Sequence, residues 1–179
     1  MMSKRFTARL FALALPLLLT LALLPMARAE GAVTLNISQG PITITATGYT
    51  AAGAADETPH TGGYVITGTT RTHGVSVTGG DHAITLAGVD IDVSATSRAC
   101  AFDMTGATVA LTLTGDNVLK SGYSRAGLEA PDGATLTILG GGRLTAAGGS
   151  DGAGIGGGNG GNSDGSGNSS GAITIAGGE

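Results

Sequence analysis

A parallel β-helix, a solenoid of short stacked strands, is the fold class that this sequence predicts. Three observations predict it. Short segments recur in fixed order about every 26 residues. Each alternates apolar and polar side chains, the period of a half-buried strand. Residues 30–179 have a single Phe (Phe102), three Tyr and no Trp. An ordinary core of that size would use more aromatics, whereas narrow columns of aliphatic side chains need few.

The repeat has three strand families. The first contains Ile84-Thr85-Leu86, Leu111-Thr112-Leu113, Leu136-Thr137-Ile138 and Ile173-Thr174-Ile175, with steps of 27, 25 and 37. The second aligns Ile91, Leu119 and Leu144. The third aligns Phe102, Leu128 and Ile155, with steps of 26 and 27. Turn residues separate them: Gly88, Gly115-Asp116-Asn117, Gly122, Gly140-Gly141-Gly142 and Gly148-Gly149. Parallel pairing needs a crossover of a dozen or more residues, and the other two strands of a coil supply it. Each strand then pairs with its equivalent one coil away at ~4.8 Å. The inner columns expected are Ile84, Leu111, Leu136, Ile173 and Leu86, Leu113, Ile138, Ile175, with a third of Phe102, Leu128 and Ile155.

Residues 1–29 are a different material. Lys4, Arg5 and Arg9 precede an apolar run from Leu10 to Pro25, and Ala27-Arg28-Ala29 is a small-x-small cleavage signal. This pattern predicts a secretory signal peptide cut before Glu30. The run is slightly short for a span of ~20 residues, and no other segment could cross a membrane. Residues 30–61, with Val33-Thr34-Leu35 and Ile42-Thr43-Ile44, are expected to cap the solenoid. Residues 62–179 form the repeats, with a Gly/Asn/Ser-rich loop at 156–170. The sequence stops at Gly177-Gly178-Glu179 where earlier coils continue into a second strand, so a C-terminally truncated member of a longer parent is expected.

All 33 Gly lie beyond residue 29, as do the thirteen acidic residues, against five basic ones: Arg71, Arg98, Lys120, Arg125 and Arg143. A net charge of −8 over 30–179 excludes nucleic acid, whose affinity comes from neutralised phosphates. Cys100 stands alone, which excludes an internal disulfide scaffold. Its neighbours, Ala99, Ala101 and Phe102, make it a small buried hydrophobe. His60, His73 and His82 have no metal-ligand spacing; His60 and His73 are expected in solvated loops.

The phrases HAITLAGVDIDVS (82–94), ATVALTLTGDNVLKSG (107–122), AGLEAPDGATLTILGGGRLTAAGG (126–149) and GAGIGGG (152–158) resemble repeat units of large secreted bacterial surface proteins. They are similar, more distantly, to bacterial carbohydrate-binding β-helix domains. The resemblance covers roughly residues 62–178. It implies a right-handed parallel β-helix, an extracellular or cell-surface location, and binding of polysaccharide and Ca²⁺. It carries no catalytic motif.

Outward residues at equivalent positions become neighbours in a solenoid. Asp103 above Glu129 is the first candidate site. Two carboxylates one coil apart repel unless a cation lies between them. Ca²⁺, which takes six to eight oxygen ligands, is one such cation and would bridge to a sugar; Arg98 or Arg125 is the other. Asp90 and Asp92 form a second candidate. There Asp92 stacks on Lys120 and Asp90 lies two coils from Arg143, an ordinary charge pairing. Thr85, Thr112, Thr137 and Thr174 form an outward ladder, good strand chemistry in itself. Residues 157–164 hold one imperfect copy of a Gly/Asp-rich Ca²⁺-binding nonapeptide, with Asn162 where Asp is wanted, so a loop is expected. A glycoside hydrolase would need two carboxylates ~5–10 Å apart across a cleft, and sugar clefts want aromatic faces that this chain scarcely has. The leading expectation is therefore a non-enzymatic, secreted or surface-exposed β-helix that binds a polysaccharide or cell-surface component. The alternatives are a structural or adhesive spacer, and a polysaccharide lyase or hydrolase.

Overall fold

The computed structural model describes residues 31–159 and 169–179. The expected signal peptide, and residues 160–168 of the expected Gly-rich loop, lie outside the described residues. Within them the chain is almost wholly β-structure, wound as a parallel β-helix.

The first coil contains β1 (Val33–Asn36), a 3-10 turn (Ile37–Gln39) and β2 (Ile42–Thr45). A hairpin of β3 (Gly48–Thr50) and β4 (Thr58–Pro59) follows. The second coil is β5 (Tyr64–Thr67), β6 (Thr69–Thr70) and β7 (Val75–Thr78). The third is β8 (Asp81–Ala87), β9 (Asp90–Asp92) and β10 (Phe102–Asp103). The fourth is β11 (Thr108–Thr114), β12 (Asp116–Lys120) and β13 (Leu128–Glu129). The fifth is β14 (Thr135–Gly140), β15 (Arg143–Ala147) and β16 (Ile155–Gly156), and β17 (Ala172–Ile175) opens a sixth.

These strands stack into three sheets. Sheet A runs β1-β5-β8-β11-β14-β17, sheet B runs β4-β3-β2-β7-β10-β13-β16, and sheet C runs β6-β9-β12-β15. Every strand pairing between coils is parallel; among the described residues the β2-β3-β4 excursion and an isolated bridge between Pro131 and Ser170 are antiparallel. The segment expected to cap the solenoid forms its first coil, in which β1 pairs with β5 and β2 with β7. The 3-10 turn stands where later coils place a sheet C strand. Asn36 initiates it, its side chain accepting a hydrogen bond from Ser38 N at 3.0 Å. Pro59 sits on the outermost strand of sheet B, where a missing N–H blunts the edge.

The core is a file of columns. Ile84, Leu86, Leu111, Leu113, Leu136 and Ile138 are all buried, as are Ile91, Leu119, Phe102 and Leu128. The register corrects part of the expected alignment. Leu111 faces Ile138, and Val109 faces Leu136. The step from β11 to β14 is therefore 27 residues, equal to that from β8 to β11 (Ile84 to Leu111). Sheet C is shifted likewise: Leu119 pairs with Ala146, and Leu144 with Asn117. A shift of two leaves the side chains on their expected faces, but Ile175, expected in an inner column, is 66% exposed. The outward neighbours do change. Thr85 stacks on Thr112, but the next residue in that column is Leu139; Thr137 and Thr174 continue a column that begins with Ala83 and Ala110. The four-threonine ladder is two short ones.

Corner loops follow β9, β12 and β15. Each closes a four-residue turn: Ala99 N donates to Thr96 O, Arg125 N to Gly122 O, and Gly152 N to Gly149 O. In each turn the third residue has positive φ, at Arg98, Ser124 and Asp151. The loops stack through bonds such as Gly122 N to Ala99 O and Gly149 N to Arg125 O. Close stacking needs small residues: a Cβ on Gly127 would stand 2.6 Å from Ala147 N.

Candidate functional site

The four candidate carboxylates fall into two pairs on different sheets. Asp90 and Asp92 are on sheet C. Asp90 Oδ2 lies 2.8 Å from Arg71 Nη2, a partner contributed by the preceding coil. Arg143, expected near Asp90, instead stands beside Asp116 in the register. Asp92 lies 3.5 Å from Lys120, as the sequence predicted. It also accepts bonds from the hydroxyl and the backbone N of Ser94. The Ser94 hydroxyl holds the Asp92 carboxyl below its ordinary range, with Lys120 adding to the effect.

Asp103 and Glu129 are neighbours on sheet B, as the spacing predicted. The cation between them belongs to the chain. Arg125, on the corner loop after β12, sends Nη2 to within 2.6 Å of Asp103 Oδ2 and Nε to within 3.0 Å of Glu129 Oε2. The first contact is a hydrogen bond. The second is a pair of opposite charges in contact, because the buried Nε–H does not point at the carboxylate and has no hydrogen-bond acceptor. Asp103 also accepts from Thr105 N at 3.1 Å and from the Thr105 hydroxyl at 2.7 Å. A Ca²⁺ ion in this place would have to displace a guanidinium already held by both carboxylates. Among the described residues, no three His, Cys, Asp or Glu side chains are gathered closely enough to hold a metal ion.

Glu129 is only 3% exposed, which sequence reasoning did not foresee. Its Oε2 accepts from Ala126 N at 3.0 Å. Gly158 passes over it so closely that a Cβ there would lie 2.7 Å from Oε2. Asn159 N then donates to Ser124 O at 2.9 Å, fixing this strap to the corner loop. Burial raises the Glu129 carboxyl above its ordinary range, against the opposing pull of Ala126 N and Arg125. The signal that could have found this was the Gly156-Gly157-Gly158 run, which begins at the position equivalent to Glu129.

Cys100 belongs to the same cluster, which corrects its reading as a plain hydrophobe. Its Sγ is half-buried, 3.6 Å from Ala126 O and 3.9 Å from both Glu129 Oε2 and Ser121 Oγ. Burial and the Glu129 charge push the thiol up to about 11. It stays protonated at neutral pH and is a weak nucleophile, since the thiolate is the reactive species.

Two further sites were missed. Asn117, expected in a turn, is 1% exposed. Its Oδ1 accepts from Val89 N at 3.1 Å, and its Nδ2 donates to Thr114 O, Gly115 O and Arg143 O at 3.1–3.3 Å. One amide thus ties three coils together. His60, expected in solvent, packs edge-to-face on Tyr64 with ring centroids 5.1 Å apart, and Tyr49 and His82 complete the aromatic group. Among the described residues, the exposed large hydrophobics are Tyr123 and Ile175.

Comparison with protein-family models, with curated proteins and with solved structures finds no match for this chain.

Proposed function

We propose that this chain is a non-enzymatic spacer module of a secreted or cell-surface bacterial protein, a stiff β-solenoid whose product is shape rather than chemistry. One observation carries this reading. Each of the four carboxylates that could have formed a ligand or metal site is already matched to a cation of the chain: Asp90 to Arg71, Asp92 to Lys120, and Asp103 with Glu129 to Arg125. Three of these pairings bridge adjacent coils, so the charges serve as staples between turns. The leader-like residues 1–29 and the likeness of 62–178 to surface-protein repeats support the location.

The test is thermal unfolding of the chain with Ca²⁺, with EDTA, and with Ca²⁺ plus acidic polysaccharides. A ligand of the folded state raises stability by ~2.7 kcal/mol at a hundredfold excess over its dissociation constant. The midpoint is expected to be the same in all three. A rise with Ca²⁺ that disappears in Asp103→Asn would overturn the spacer reading in favour of a metal-dependent binder.

A second reading, carbohydrate binding, has one observation in its favour. Tyr123 is 53% exposed at a corner loop, where its ring offers a stacking face. Retention on a polysaccharide column that Tyr123→Ala abolishes would establish it.

A further inference from the structure

Charge is segregated by face. The outward positions of sheet C carry Asp90, Asp92, Asp116, Lys120 and Arg143, and the outward side of sheet B carries Asp103 beside the covered Glu129. Sheet A, the face with most strands belonging to separate coils, is nearly free of charge. Its outward residues across six strands are mostly Thr and Ala, and Asp81, at the very start of β8, is the exception. The register makes this face an array: Ala110 and Thr112 on β11 stand between Ala83 and Thr85 on one side and Thr137 and Leu139 on the other.

We propose that sheet A is a self-association surface through which two copies of this chain pack face to face. The charge pattern selects the face on which two copies can meet. With thirteen acidic residues against five basic ones beyond residue 29, two copies repel at long range, and sheet A is the face on which they can meet without opposing charges of like sign. An acidic glycan would want cations here, and a neutral one would want aromatic rings; the outward residues of these six strands include neither. Flat β-faces pack ~10 Å apart with interdigitating side chains. Thr and Ala are short, and Thr is stiff at χ1, so little side-chain entropy is lost on contact. A two-fold contact uses the same patch on both copies and closes on itself.

The area sets the strength. Strands ~4.8 Å apart and residues ~3.3 Å apart give six strands a face of roughly 500 Å². Two such faces bury about 1,000 Å², the lower bound for a specific interface. The dimer is therefore weak and reversible, and becomes significant where chains are held side by side at high local concentration.

Sedimentation equilibrium of the chain as recovered after export, over a wide concentration range and at low and high salt, tests this. The expected result is a monomer–dimer equilibrium that tightens with salt, because salt screens the like net charges and removes no attractive ion pair. Thr112→Lys should raise the dissociation constant at least tenfold, whereas Thr145→Lys, on the exposed outer side of sheet C, should leave it unchanged. An unchanged melting midpoint shows that both variants fold. A monomer at every concentration, a dimer that dissociates in salt, or a dimer indifferent to Thr112→Lys overturns the proposal. So does a monomer retained on neutral crystalline polysaccharide through Thr112, which would give the face to sugar. The spacer reading is decided separately by the Ca²⁺ and acidic-polysaccharide melts.

Discussion

The second coil and the two that follow it solve the same packing problem differently. From Tyr64 to its partner Ile84 the chain takes 20 residues; from Ile84 to Leu111, and from Leu111 to Ile138, it takes 27. The shorter coil passes from β6 to β7 through four residues, whereas nine separate β9 from β10 and seven separate β12 from β13. The corner loops account for five of the seven extra residues in the third coil and three of the seven in the fourth. The coil without one buries Tyr64 beside Ile66, Val75 and Val77, and Tyr49, His60 and His82 from the flanking segments pack around the Tyr64 ring. The third and fourth coils, which have one, carry the Cys100, Asp103, Arg125 and Glu129 cluster on the outer corner. Coil length thus bears on whether the corner has room for a polar cluster.

The largest effect should separate the two interiors. Leu111 is fully buried between Ile84 and Ile138, and Leu111→Ala should cost about 3 to 5 kcal/mol, because the columns on either side cannot collapse into the cavity. Tyr64→Phe keeps the ring and loses a long hydroxyl bond to Gly48 O at 3.4 Å, so about 1 kcal/mol is expected. Chemical denaturation of both variants checks the ordering, and equal losses would mean that the aromatic group is held by its hydroxyl rather than by its packing. Next in size is Asn117→Ala. It leaves Val89 N without its acceptor and three carbonyls without the amide donor, for about 2 to 3 kcal/mol. If the loss were no larger than that of an exposed substitution such as Thr145→Ala, the staple reading of Asn117 would fail.

Which residues face inward was legible, because a strand's period of two assigns faces from sequence alone. Ile84, Leu86, Phe102 and Leu128 are where alternation puts them. The register of β11 against β14 was not legible. Matching Leu111-Thr112-Leu113 to Leu136-Thr137-Ile138 is the better local likeness, and an error of two preserves every face. What fixes the register is the equal length of coils, seen only when the turns at Gly115 and Gly142 are compared. The pairing of Asp103 with Glu129 could be read from spacing. The burial of Glu129 could not, because it comes from Gly158, whose strap leaves the repeat pattern.

That strap supplies a smaller test. Gly158→Ala would push a methyl against Glu129 Oε2 and Ser124 O, at 2.7 and 2.9 Å, so a loss of about 1 to 3 kcal/mol is expected. Gly141→Ala, on the turn between β14 and β15, meets nothing within 4 Å and should change stability by less than about 0.5 kcal/mol. Equal effects would show that the strap does not bear on the cluster.

The smallest effect is the dependence on pH, and its sign tests what dominates at Glu129. Burial holds this carboxyl above its ordinary range in the folded chain. As pH rises from about 4, where an unfolded glutamate begins to ionise, the unfolded chain releases this proton before the folded one does. The folded state then binds more protons than the unfolded state, so the Glu129 contribution to stability is largest in acid and falls until the folded carboxyl has ionised. Glu129→Gln removes the titration while keeping an acceptor for Ala126 N. The stability of the native chain relative to this variant should therefore decline between acid and neutral pH. Asp92 acts oppositely: Ser94 and Lys120 hold it low, so its contribution is present above the ordinary aspartate range and is lost in acid as pH falls through its folded value. The corresponding difference against Asp92→Asn should rise with pH. If the Glu129 difference rose as well, the attraction of Arg125 would outweigh burial. The cluster would then be an ion pair that stabilises the corner, rather than a buried charge that the corner tolerates.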